Sequence, residues 1–404
     1  MNFTALKRIA INRPIGVRMR NITLVITALL LSSLFSEAAR AQTEQFHLTA
    51  KDGVSLNGQI DFPADSAIKG VILLVPGTGL FDRDVKFGQT NTEKDLIFKE
   101  IAKSLTARHF AVVRFDYRGV NCNGNSGTAK QCIDNQIRAG VTPENIRDDI
   151  ETIYNSAIAN KKLAGKKVLV FGHSEGSLHL SYLIAQKRIQ PHAVIFMGGL
   201  AESPQAVIHW QLTERFSSAL FEFDSNSDGI VDNDEIKVGH AKKLNFLYQL
   251  PVEVLFSPKG SWTHQALNTY LEDSYQLVKA EALSHTDDEP MGANGLVQAS
   301  YRWWKMYFTD NQPVIENLAN FKGQIYYLNG SIDSQTNFTR QNDELKRTET
   351  AFSLKPQIVK VENMGHSLGA DQIFGPIHPS SLELIGNTCL KLIEQKANQV
   401  SKNL

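Results

Sequence analysis

The chain has no surplus of charge in either sign. Its 42 Lys and Arg residues balance 42 Asp and Glu residues, and no basic block stands out beyond the N-terminal segment. Nothing in the charge therefore favours a nucleic-acid partner. Cysteine is scarce, with 3 among 404 residues, and none forms the C-x-x-C pair of common zinc or thioredoxin-like sites. Past the N-terminal segment no run reaches about 18 consecutive apolar residues, the length that reads as a spanning helix. No stable membrane anchor is expected in the processed chain. No internal repeat or low-complexity tract is visible. What is present is a core: 42% of residues are hydrophobic and 21% charged, a balance that folds rather than stays disordered.

The first 41 residues read as an export signal. Arg18 and Arg20 precede an apolar stretch, Ile22 to Leu31, that continues to Phe35 and is followed by Ala39-Arg40-Ala41. Basic, apolar and small residues in that order predict cleavage after Ala41 and a periplasmic or secreted protein of bacterial type. The stretch before Arg18 is long for a signal, so Met19 competes with Met1 as the start. An oxidising destination permits disulfides. Cys122 and Cys132 flank a Gly/Asn/Ser-rich stretch that suits a local staple, whereas Cys389 lies in an apolar helical pattern and is expected to be a buried thiol.

Along the mature chain, Phe46 to Phe62 alternates apolar and polar residues about Lys51-Asp52-Gly53, a hairpin pattern. Val71 to Val75 is continuously apolar and stops at Pro76-Gly77, as strands buried on both faces do. Further strands are predicted at Phe110 to Phe115, Lys167 to Phe171, Ala193 to Met197, Gln324 to Leu328 and Gln357 to Val361. Helices are predicted at Thr92 to Arg108, Thr142 to Ala159 and Ser177 to Lys187. The alternation argues for an α/β fold with a mostly parallel, doubly wound sheet. It breaks at residues 200–320, which are aromatic, charged and mostly helical with no strand repeat. They are expected to form a helical cap inserted between a first core part, 42–199, and a second, 321–404.

The sharpest local signal is Gly172-His173-Ser174-Glu175-Gly176, a G-x-S-x-G between an apolar strand and a helix. In that context the serine sits on a tight turn that lifts its hydroxyl clear of the sheet, and the glycines leave room for it. Ser174 needs a base, and His366 follows a late strand on a loop. His378, between Pro376 and Pro379, is the other late histidine. Asp333, after Gln324 to Leu328, falls between nucleophile and base as the orienting acid, with Asp371 as an out-of-order fallback. The oxyanion donors are expected to be the amides of Glu175 and Thr78, the latter in Pro76-Gly77-Thr78-Gly79.

With these residues in place, the chain resembles the α/β-hydrolase superfamily over roughly Phe46 to Met197 and Phe321 to Ile393. Val75-Pro76-Gly77-Thr78-Gly79 with Asp82-Arg83-Asp84 is similar to the P-G-x-G-x-x-D-R-D turn of the serine aminopeptidase and acyl-thioesterase-like bacterial branch. Phe115-Asp116-Tyr117-Arg118-Gly119 is similar to the turn after its next strand. The segment Val120-Asn121-Cys122-Asn123-Gly124 departs from the usual ending. The resemblance implies ester, thioester, amide or peptide hydrolysis through an acyl-enzyme, on a small-molecule ester or peptide substrate and without an organic cofactor. An aminopeptidase on the same triad and a catalytically inactive, calcium-dependent binding protein are the alternatives.

A second pattern lies inside the insertion. Residues 224–235 match the twelve-residue EF-hand loop: Asp224, Asn226 and Asp228 as side-chain ligands, Gly229 for the sharp turn, the Ile230 carbonyl, then Asp232 and Glu235. Helices are expected on either side, at Gln211 to Phe223 and Glu235 to Leu247, and the loop implies a structural calcium ion. Tyr301, Trp303, Trp304, Tyr307 and Phe308 form an aromatic cluster suited either to core packing or to an acyl pocket.

Overall fold

The computed structural model describes residues 42–65, 67–122, 132–291, 298–351 and 355–394. The expected export signal and both candidate starts lie outside them.

The apolar runs become the middle of one sheet. Strands β1 (Thr43–Thr49) and β2 (Ser55–Asp61) form the antiparallel hairpin. Strands β3 (Gly70–Val75), β4 (Phe110–Phe115), β5 (Val168–His173) and β6 (Ala193–Met197) are buried along their whole length. Two short strands, β7 (Ile230–Asp232) and β8 (Ser261–Thr263), pair only with each other, and β9 (Gln324–Gly330) and β10 (Gln357–Val361) complete the main sheet. The eight strands run in the order β1-β2-β4-β3-β5-β6-β9-β10. Strand β2 is antiparallel to β4, and every pairing from β4 to β10 is parallel.

Parallel neighbours need crossovers, and helices supply them. Helix α1 (Ile97–Thr106) buries Ile97, Phe98, Ile101 and Leu105 and packs on β4. It starts later than the periodicity predicts, because Glu93–Asp95 forms one 3-10 turn first. Helix α2 (Asn135–Ala139), missed in the sequence, is capped by Asp134; α3 (Pro143–Ala159) opens on a reciprocal cap between Thr142 and Asn145. Helix α4 (Glu175–Ala185) follows β5 directly. The chain steps one way from β3 to β4 and the other way to β5, so a crevice opens at their carboxyl ends. This sheet, its crossovers and the sharp β5–α4 turn are the α/β-hydrolase fold.

Between β6 and β9 the chain leaves the sheet. It forms α5 (Pro204–Leu212), α6 (Glu214–Phe221), α7 (Asn233–Ala241), α8 (His264–Ser284) and α9 (Tyr301–Thr309). Helices α10 (Phe338–Thr348) and α11 (Pro379–Glu394) belong to the later core. Three sequence expectations need correction. The insertion does contain strands, since β7 is only three residues inside a polar loop and gives no period to read. Its helices are shorter than expected. Thr213 breaks the backbone between α5 and α6, and α7 ends where Lys243 turns left-handed, with the amides of Lys243 and Leu244 donating back to the carbonyls of His240 and Gly239. There is also a short internal likeness. Gly229, Val231 and Ile236 have the same spacing as Gly260, Trp262 and Leu267; both glycines have positive φ, and Val231 lies opposite Trp262. Val231, Ile236, Trp262 and Leu267, with Leu220, Phe223, Leu247, Leu255 and Leu271, form a second core separate from that of the sheet.

As expected, Cys122 is joined to Cys132, and Cys389 is a buried free thiol. No helix among the described residues is long and apolar enough to cross a membrane. Closing a loop with a sequence separation of 10 removes denatured-state entropy worth about 2–3 kcal/mol. The Cys122→Ser/Cys132→Ser double variant should lose about that much in urea unfolding, and unchanged stability would mean that the bond does not brace the fold.

Candidate active site

The site is built where backbones come closest. Ser174 ends β5 at φ 52° and ψ −124°, a left-handed conformation that a non-glycine residue holds only when its surroundings over-determine it. A Cβ on Gly176 would stand 2.5 Å from the Val75 carbonyl oxygen, and one on Gly172 would stand 2.8 Å from the Ser177 nitrogen. Both glycines of the motif are therefore steric necessities. On the facing turn, a Cβ on Gly77 would come within 2.7 Å of Ser174 Cβ.

That turn is pinned by buried charge. Arg83 grips Asp116 with two parallel bonds of 2.9 and 2.7 Å, and the Asp116 carboxylate also accepts the Arg83 amide. Arg114 bonds Asp61 at 2.7 Å and Asp84. The Tyr117 hydroxyl donates to the Pro76 carbonyl at 2.7 Å. The Asp82-Arg83-Asp84 and Asp116-Tyr117-Arg118 motifs thus serve to hold the Gly77–Thr78 turn, with Arg118 held in turn by Asp149.

Asp333 and His366 meet at the ends of β9 and β10. His366 Nδ1 lies 2.9 Å from Asp333 Oδ2 and 3.1 Å from Oδ1, with both residues buried. Asp333 Oδ1 also accepts the amides of Gln335 and Thr336, and the Thr336 hydroxyl lies 2.8 Å from Oδ2 and 3.0 Å from the Gly198 carbonyl. A carboxylate so placed only accepts, which makes Nδ1 the protonated nitrogen and leaves Nε2 as the free base. The fallback residues go elsewhere. Asp371 accepts the amides of Ile373 and Phe374, and His378 bonds Ser380 near the surface.

Ser174 and His366 line one cavity of about 340 Å³, together with Gly77, Thr78 and Glu175. No hydrogen bond joins the serine hydroxyl to the imidazole among the described residues, a looseness common in ligand-free sites of this kind. The walls are mainly apolar and aromatic: Phe81, Phe87, Trp303, Trp304, Tyr307 and Phe374. The aromatic cluster thus does both things considered for it, because Trp303 and Tyr307 are buried and face the cavity while Phe308 packs in the core.

Sequence reasoning missed three parts of this site. Gly198, at φ 53°, lies against His366, where a Cβ would stand 2.7 Å from Nδ1; a Gly-Gly pair just after β6 was the available signal. Glu175 was named only for its amide, yet its buried carboxylate accepts the Thr78 hydroxyl and the Trp303 indole N–H, each at 2.6 Å. Burial pushes that carboxyl up, but the nearby His179, Thr78 and Trp303 outweigh it and hold the group below its usual range. The His173 ring lies 4.8 Å from that of His366, and burial drives its pKa well down, so it stays neutral beside the base.

The loop at 224–235 has a partly different outcome. Gly229 makes the sharp turn at φ 79°. Asp224, Asn226 and Asp228, however, turn their oxygens to the loop's own amides, at Ser227, Gly229, Asp228 and Ile230. Asp232 and Glu235 cap α7. Among the described residues no group of three or more His, Cys, Asp or Glu is gathered as a metal site. The donor set is all hard oxygen, as calcium prefers.

No protein-family model matches the chain, and no curated protein does. Solved structures similar to it include Est1E from Butyrivibrio proteoclasticus (13% identity, 87% of this chain and 99% of that one, TM-score 0.48). An esterase domain of a Rhodothermus marinus protein is similar at 11% identity, 87% and 99% coverage and a TM-score of 0.46. The Pyrococcus furiosus esterase PF2001 is similar at 12% identity, 87% and 92% coverage and a TM-score of 0.46.

Gly198→Ala should displace the imidazole. A shift of about 1 Å typically costs on the order of 100-fold in rate, so labelling of Ser174 by a fluorophosphonate should slow by about that factor. The strained φ should cost about 1–3 kcal/mol of stability. Labelling at the wild-type rate would show that Gly198 does not set the position of His366.

Proposed function

We propose that the chain is a serine hydrolase that cleaves carboxylic esters or thioesters through an acyl-enzyme. One observation carries the reading: His366, bonded at 2.9 Å to the buried Asp333, lines the same cavity as a serine held on a left-handed elbow. Ser174 Oγ attacks the substrate carbonyl as His366 Nε2 takes its proton, and Asp333 stabilises the imidazolium that forms. The amides of Glu175 and Thr78 hold the oxyanion, each such donor being worth about 3–4 kcal/mol of barrier. The tetrahedral intermediate expels the alcohol or thiol, which receives the proton from His366. Water, activated by the same base, then releases the acid and frees Ser174.

The cavity wall favours a neutral, apolar ester over an aminoacyl amide. An aminopeptidase needs a free carboxylate to hold the α-ammonium group. Among the described residues Glu175 is the one carboxylate lining this cavity, and both its oxygens accept hydrogen bonds, from Thr78 and Trp303. The Cys122–Cys132 bond fits an oxidising compartment and thus an exported chain cleaved after Ala41. Residues 224–235 would bind calcium in a bracing role within the inserted cap, 200–320.

A fluorophosphonate should label the folded protein at Ser174 and fail on Ser174→Ala, and p-nitrophenyl acyl esters should turn over faster than aminoacyl amides. A folded wild type that resists the probe would instead favour an inactive binding protein. Sites of this kind outside the cytosol bind with Kd on the order of 10⁻⁴–10⁻³ M. Calcium at about 10 mM should therefore add roughly 1.5–3 kcal/mol of stability, read as a higher melting temperature than in chelator. Turnover should change less, and identical melting would remove the calcium site.

A further inference from the structure

The insertion reaches the catalytic loops through one cation. Arg215 stands in the first turn of α6 and donates from Nη1 to the Ser334 carbonyl at 3.0 Å, one residue from Asp333. Its Nε donates to the Gln211 carbonyl at 3.1 Å, and the guanidinium lies over the Phe246 ring, 4.7 Å from its centroid. Gln211 itself donates to the Gln335 carbonyl at 2.8 Å. From the same side, the Phe246 amide donates to the Gln372 side chain at 3.0 Å. The Gln372 carbonyl accepts the amides of His366, at 3.1 Å, and Ser334, at 3.3 Å.

The contacts therefore converge on the two loops that hold acid and base, and Arg215 is the charged one among them. No carboxylate pairs with it directly among the described residues; its electrostatic partner is Asp333. Among the described residues the other ionisable groups packed near the pair include Asp371, which accepts the amides of Ile373 and Phe374. His173 at the end of β5 is held neutral, and Glu175 at the start of α4 is bonded to Thr78 and Trp303. Burial lowers the Arg215 guanidinium to about 10 while Asp333 pulls it the other way, so it remains charged at neutral pH.

We infer that Arg215 is a positioning residue for the Asp333–His366 pair: its hydrogen bond fixes the 333–336 turn, and its charge keeps the imidazolium from becoming too stable. The inference rests on the triad proposed above. A positive charge beside the acid opposes protonation of His366. Removing it should raise the pKa of the imidazole, so that activity is lost at a higher pH as the solution is acidified.

The experiment compares the acid limb of kcat/KM for wild type, Arg215→Met and Arg215→Lys with one ester substrate. Arg215→Met should move the limb up by about half a unit or more, the scale of one charge several ångströms away at high effective dielectric. It should also lower kcat by about tenfold, as expected for a loosened turn. Arg215→Lys keeps the charge and loses the planar fork, so it should leave the limb in place while kcat still falls. A role in folding alone would lower melting temperature in both variants without moving either limb. That result, or an unmoved limb in a folded Arg215→Met, overturns the inference. If Arg215→Met does not fold, Arg215→Gln takes its place under the same criterion. Failure of the underlying reading looks different, because Ser174→Ala would then retain wild-type turnover.

Discussion

The architecture depends on one steric constraint, the left-handed backbone of Ser174. That conformation persists because neighbours leave no alternative. Gly77 and Gly176 bring the end of β3 and the start of α4 to within van der Waals contact of the elbow. Widening that approach by a single methyl group at either glycine would force backbone atoms apart. The hydroxyl is lifted toward the crevice by crowding from below.

Crowding of this kind needs a rigid opposite wall, and here the wall is electrostatic. The turn after β3 buries Phe81 and Val85 in the core, but its charged residues are tied down as well. Its position comes from Arg83 on Asp116 and Arg114 on Asp61 and Asp84, all largely withdrawn from solvent. Ion pairs in such places contribute little net stability but are costly to break singly, since the survivor is left charged and buried. They are better understood as devices that specify geometry. The backbone amide of Thr78 inherits its location from them, while its hydroxyl is aimed by Glu175.

Much of this was legible in the sequence because the relevant signals are local. Strands β3 to β6 are buried on both faces, so they read as unbroken apolar runs. The Gly-x-Ser-x-Gly elbow carries its steric logic within five residues. His366 and Asp333 could be named from chain order and from the strands before them, and the structure bonds them to each other. What stayed hidden depends on distance along the chain. The Gly198-Gly199 pair marks a close approach, but not that an imidazole more than a hundred residues later makes it. Trp303 and Glu175 are 128 residues apart, and Arg215 sits in a stretch whose helical period says nothing about Asp333. Strand β7 was invisible for a different reason: three residues in a polar loop are too few to show a period, and only the pairing of Val231 with Trp262 defines them. At 224–235 the spacing of the oxygen-bearing residues is a matter of sequence, while their bonding to the loop's own amides is local geometry that composition does not encode.

The bond from Trp303 to Glu175 bears on how separable the two parts of this molecule are. Insertions above a hydrolase sheet invite description as interchangeable modules, added or traded to suit a substrate. Here the residue beside Ser174 carries a buried carboxylate, and one of its hydrogen-bond donors arrives from α9, in that insertion. Excising the insertion would strand a buried anion without its indole partner, beside the Ser174 elbow. The core and its covering are therefore interdependent at the level of a single proton donor. A graft onto this scaffold would have to bring its own donor for Glu175 or replace that residue as well.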